Sequence, residues 1–209
     1  MGGHERKTLK LSAADGQQMP GKEAHGDLET ALRHRRAEAV AARRGHWRDR
    51  ENAAQTNVLA CLVNLGRYAE ALPEADALIA RLGDEDTANM AYALFMQTAA
   101  LRRLHRNDEV RAAARRLWPR LKRYHIQQGA CEWLPVLASE SRHTDAARLS
   151  GFLVEAIERD GDGMDGASRK TFDEAETLGR AALGDAAWER AVLEGRALDD
   201  AGAYACLGA

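Results

Sequence analysis

The chain has 209 residues, of which 30% are charged and 45% apolar, with four prolines and a formal net charge of −2. This length holds one large core or a run of stacked helical units, and no apolar run approaches the ~20 residues of a membrane span. Met1–Lys7 is charged and is not followed by the apolar core of a secretory leader, so a cytoplasmic protein is expected.

Residues 1–26 mix Gly, Lys, Gln and Ser with little apolar periodicity and read as a flexible lead-in or as the tail of a preceding domain. From Asp27 the helical pattern is nearly continuous. Asp27 is an expected cap for a helix carrying Leu28, Leu32 and Val40, and Gly45 is its expected end. Residues 27–159 then repeat. Leu65-Gly-Arg-Tyr-Ala-Glu-Ala-Leu precedes Leu104-His-Arg-Asn-Asp-Glu-Val-Arg by 39 residues, and Ser141-Arg-His-Thr-Asp-Ala-Ala is a fainter third copy. Periods in the thirties with a small-residue turn between helical runs mark helix-hairpin repeats. Gly66 supplies the turn's unusual backbone angles. Asn107 and Thr144 are expected N-caps in the later copies, and Ala71 and Ala75 let neighbouring helices approach. A Gly/Asp loop is expected over 160–168 and a helical cap over 169–209, with Trp188 packing its helices together.

Leu65-Gly66-Arg67-Tyr68-Ala69-Glu70-Ala71-Leu72 resembles a tetratricopeptide repeat (TPR), with Gly66, Tyr68 and Ala71 on signature positions. In the second copy His105 and Asn107 replace the glycine and tyrosine, and in the third Ser141 and His143 do. Ala147-Arg-Leu-Ser-Gly-Phe-Leu, then Leu183-Gly-Asp-Ala-Ala-Trp, then Glu194-Gly-Arg-Ala-Leu resemble the end of bacterial ATPase-linked transcriptional regulators of the winged-helix or LuxR type. With the repeats, the similarity covers about residues 50–209. It implies an all-α fold of TPR-like antiparallel hairpins in a right-handed superhelix. It also implies a non-catalytic module that recognises a protein or ligand in a signalling or transcription-control system, with self-association as the alternative.

Catalysis finds no positive support in the motifs. A phosphate-binding G-x-x-x-x-G-K-[ST] loop is missing. Gly161-Asp-Gly-Met-Asp-Gly166 matches G-x-G-x-x-G but follows a helical run, and its aspartates repel phosphate. An EF-hand loop from Asp160 fails at Met164, Asp165 and Thr171. The seven histidines lack metal spacing, and Cys61, Cys131 and Cys206 stand too far apart for a C-x-x-C pair and read as buried thiols. No cofactor is expected.

Charge supplies the functional lead. Nine Lys/Arg against two acids lie between Leu101 and His125, whereas acids outnumber bases 14 to 7 from Asp145 onward. The basic stretch suits an acidic protein segment or a small carboxylate ligand. Nucleic acid is disfavoured, since the stacking aromatics of a recognised nucleic-acid fold are lacking, and Trp118 has core spacing. In TPR arrays the first helix of each hairpin lines a concave groove. That pattern places Thr56, Ala60 and Asn64, then Tyr92, Phe95, Ala99, Arg102 and Arg103, then Gln128 and Cys131 on the groove. Arg102 and Arg103 form its cationic edge, and a second copy filling the groove would make a homodimer.

Overall fold

Ala, Leu, Arg and Glu, the leading helix formers, dominate the chain, and their runs are cut by short turns rather than by proline. The computed structural model describes residues 22–161 and 163–208. Those residues form ten α-helices and one 3-10 helix and no strand: α1 (Lys22–Arg44), α2 (Arg48–Asn64), α3 (Tyr68–Leu82), α4 (Ala88–Arg103), α5 (Asn107–Leu121), the 3-10 helix (Gln127–Trp133), α6 (Leu134–Ser139), α7 (His143–Arg159), α8 (Gly166–Leu183), α9 (Asp185–Arg196) and α10 (Asp200–Ala205). The fold is therefore all-α. Most of the expected lead-in lies outside the described residues. Asp27 is not a cap but sits inside α1, which already runs from Lys22.

The pairs α1–α2, α2–α3, α4–α5 and α6–α7 close on one backbone device. His46, Gly66, His105 and Ser141 adopt φ of 56°, 73°, 57° and 62°. The next residue's N–H then reaches back five positions: Trp47 to Ala42 O, Arg67 to Leu62 O, Arg106 to Leu101 O and Arg142 to Leu137 O, at 2.9–3.0 Å. This is the Schellman closure, in which a left-handed residue lets the last turn satisfy its own carbonyls. Left-handed backbone costs a non-glycine residue roughly 1–2 kcal/mol, so three of the four turns carry strain that packing offsets.

Three of these turns share a side-chain clamp as well. Arg67, Arg106 and Arg142 each grip the carboxylate three residues on: Glu70 at 2.7 Å, Glu109 at 2.6 Å and Asp145 at 2.7 Å. The expected caps Asn107 and Thr144 are not used. Arg106 and Arg142 occupy the N-cap positions without a side-chain cap bond, because the left-handed turn already sets the entry of the next helix.

Consecutive elements from α1 to α9 pack on one another, α2 also meets α4, α6 meets α8 and α7 meets α9, and α10 packs on α7. One main core runs from Leu59 to Leu207, with a smaller cluster of Leu32, Val58, Leu62, Leu65, Ala71 and Ala100 beneath α1. Phe172, Ala175, Trp188 and Ala203 belong to the main core, so the expected C-terminal cap is continuous with the repeats. The Gly/Asp loop is shorter than expected. Asp165 accepts a bond from Ser168 N at 2.7 Å and starts α8 at Gly166, so 166–168 form its first turn.

Helices α7 and α9 meet through glycine. A Cβ on Gly151 would lie 2.0 Å from the Val192 carbonyl oxygen, and one on Gly195 would lie 2.0 Å from the Arg148 carbonyl oxygen. Gly179 on α8 likewise receives the Trp188 ring, which a Cβ there would meet at 1.9 Å. Trp188 is 1% exposed and joins α8 to α9 as expected.

In an open helix Gly→Ala stabilises by roughly 0.5–1 kcal/mol, so the sign of that substitution separates contact glycines from neutral ones. Gly26, with nothing near its Cβ position, should become Ala with no loss or a slight gain in thermal stability. Gly151→Ala and Gly195→Ala should each cost about 1–3 kcal/mol, and Trp188→Ala about 3–5 kcal/mol. Circular-dichroism melts of the four variants check this. Equal behaviour of Gly26→Ala and Gly151→Ala would contradict the close crossing.

Candidate functional site

The groove residues expected from sequence separate into three kinds. Thr56 and Asn64 lie on α2; the Thr56 hydroxyl donates to Asn52 O at 2.9 Å and Asn64 is exposed. Tyr92 and Phe95 are half-buried against the main core. Phe95 rests on Gly129, whose Cβ would sit 3.3 Å from the ring, so the 3-10 helix lies directly beside α4. Ala99 and Cys131 are buried and present nothing to a groove. The apolar surroundings push the Cys131 thiol far up, well beyond its ordinary range, so it stays protonated. The Gln128 side-chain oxygen accepts from Asp165 N at 3.5 Å and is half-buried.

Arg102 does not form a cationic edge with Arg103. It is 6% exposed and fully engaged. Its Nε donates to the buried Glu132 carboxylate, its Nη2 to Thr171 Oγ1 at 3.2 Å and its Nη1 to Glu174 Oε2 at 3.3 Å. This guanidinium ties α4 to the 3-10 helix and to α8. Arg103 is half-buried and has no ion pair among the described residues. The physical reason is length: the third hairpin's first helix is only six α-helical residues plus a 3-10 turn, so α8 comes within reach of α4.

The rest of the basic stretch divides between structure and solvent. Arg106 and Arg111 pair with Glu109 and Glu140, and Arg120 and Arg123 converge on Asp86. The Tyr124 hydroxyl donates to Asp86 O at 2.5 Å. Arg115 and Arg116 are exposed without an ion pair among the described residues. Lys122 reaches only Asp200, at 3.9 Å.

Below these cations lies an aromatic cluster. Trp118 meets Trp133, Phe152 and Tyr204 with ring centroids 5.6, 5.9 and 5.7 Å apart. Trp118 is half-buried rather than core, and beside it opens a cleft of about 420 Å³ between the end of α5, Gln127 and α7. Pro119, Phe152, Leu153 and Ala156 form its apolar wall, and Lys122, Arg123, Arg159 and Asp200 its charged rim. That volume falls within the range of ligand pockets. Sequence reading missed the cleft because its two walls lie over thirty residues apart. The pairing of Trp118 with flanking Arg115 and Lys122 was the available signal.

Among the described residues no group of three or more His, Cys, Asp or Glu is placed to hold a metal ion, and no helix is long and apolar enough to cross a membrane. Comparisons with family models, curated proteins and solved structures returned no match.

Removing Arg102 leaves Glu132 buried without its counter-charge, which typically costs about 3–5 kcal/mol. Arg102→Ala should therefore lower the urea midpoint sharply, whereas Arg103→Ala should stay within about 0.5 kcal/mol of wild type. Equal, small effects of the two would return Arg102 to the surface.

Proposed function

We propose that the chain is a non-catalytic recognition module, a TPR-like array of antiparallel helix hairpins in a right-handed superhelix, serving a bacterial signalling or transcription-control protein. The recurring hairpin closure carries this reading. Arg67, Arg106 and Arg142 follow left-handed turn residues at intervals of 39 and 36 residues, each clamped to an acid three positions on. A stack of like units builds its function from the grooves between helices rather than from one reactive centre. Here the cleft at α5 and α7 combines an apolar wall with cations at its rim, the combination that holds an acidic protein segment or a carboxylate ligand.

Self-association is the second reading. Leu178 and Leu193, on α8 and α9, are 44% and 69% exposed, and exposed leucines of this kind suit an interface between copies.

Affinity capture from a bacterial lysate, followed by mass spectrometry of both proteins and small molecules, tests the two against each other. Recognition predicts a species retained by wild type and lost from the Lys122→Glu/Arg159→Glu variant. Self-association predicts no specific retention and a concentration-dependent dimer in sedimentation equilibrium that Leu193→Glu abolishes.

A further inference from the structure

The last described helix, α10, meets the basic face of α5. Its backbone packs on α7, and its side chains meet those of α5 in antiparallel order. Asp200 faces Lys122 at 3.9 Å, the Tyr204 ring meets that of Trp118 at a tilt with centroids 5.7 Å apart, and the buried Leu207 lines a narrow gap together with Val110, Ala114 and Arg115. Arg142 Nη2 holds the Cys206 carbonyl at 2.9 Å. From Asp199 to Gly208 the segment carries two carboxylates and no cation.

The attachment is slight where the charges meet. Lys122 and Asp200 have side chains 72% and 62% exposed, at the outer limit of an ion pair, and such pairs contribute little. Six residues are also too few for a helix to stand alone. The segment covers only one end of the basic and aromatic surface. The cleft beside Trp118 continues it past Asp200 along α7, with Phe152 and Ala156 on its wall and Arg159 at its far rim. Arg115 and Arg116, on α5, are exposed and have no ion pair among the described residues.

We propose that the α5–α7 face is a docking surface for an acidic peptide segment of a partner protein bearing an aromatic residue, and that α10 is its intramolecular competitor. The partner's aromatic side chain takes the place of Tyr204 on Trp118, and its carboxylates meet Lys122, Arg115 and Arg159. This rests on the recognition reading and names the surface and the partner chemistry. An intramolecular occupant lowers the apparent affinity for any rival by the fraction of time the surface is covered. Loosening α10 therefore strengthens partner binding, the reverse of what removing a contact residue does.

The test uses the full chain and a fluorescein-labelled peptide, Asp-Asp-Ala-Gly-Ala-Tyr-Ala-Ser-Leu-Gly, which reproduces residues 199–208 with Cys206→Ser. Fluorescence anisotropy is read for wild type, Tyr204→Ala and Asp200→Lys. The second variant changes an exposed side chain and guards against a folding defect in the first. Tyr204→Ala should bind at least about tenfold more tightly than wild type, and Asp200→Lys more tightly than wild type by a smaller factor. Lys122→Glu added to either should reverse the gain, and a twin peptide with lysine in place of both aspartates should bind at least about tenfold more weakly. Equal binding by wild type and both variants, equal binding of the two peptides, or no binding to any chain would overturn the proposal. A partner captured from lysate equally by wild type and by Lys122→Glu/Arg159→Glu would leave recognition standing on another surface while removing it from this one.

Discussion

Where α7 and α9 cross, each helix backbone occupies the space that a side chain of the other would need. Gly151 meets the Val192 carbonyl and Gly195 the Arg148 carbonyl, and neither position has room for a methyl group. The rest of the second half depends on this approach. It brings α8 down so that Trp188 seats on Gly179, places Glu174 and Thr171 against Arg102, and directs the chain after α9 back towards α5. Close backbone contact makes such a crossing rigid, because interiors packed to this density have no slack to absorb displacement.

Charge in this protein serves structure first. Arg67, Arg106 and Arg142 fasten the hairpin turns, and Arg102 joins three elements through one guanidinium. Arg120 and Arg123 hold Asp86, in the loop before α4, against the end of α5. Within the basic stretch Arg103, Arg115 and Arg116 have no ion pair among the described residues, while near the half-covered Trp118 Lys122 reaches Asp200 only at 3.9 Å and Arg159 reaches Asp160 at 3.6 Å. The density of the basic stretch alone therefore does not show which cations face solvent free of an ion pair.

The helices, the small residues Ala71 and Ala75, the turn at Gly66 and the burial of Trp188 were legible because each rests on local spacing or on one residue's conformational range. The left-handed turns at His46, His105 and Ser141 were not. A Schellman closure asks only for positive φ, and histidine or serine adopts it without a distinctive sequence mark. Asn107 and Thr144 therefore looked like caps that the turns do not need. Arg102 was misplaced for a different reason. Its partners Glu132 and Glu174 stand 30 and 72 residues away, so the groove pattern that sets it beside Arg103 carries no mark of them. The cleft was hidden likewise, since Trp118 and Phe152 become neighbours only once α7 lies beside α5.

A helix crossing locked by glycine and, on the proposal made above, an exchangeable α10 should differ in how they open. Residue-resolved amide hydrogen exchange of the full chain tests this most directly, because it separates local opening from global unfolding. The amides of α7 and α9 should exchange only through global unfolding, while those of Gly202 to Leu207 should exchange through a local opening of much lower free energy. Protection of the α10 amides equal to that of α7 and α9 would contradict the account and make α10 a fixed part of the core.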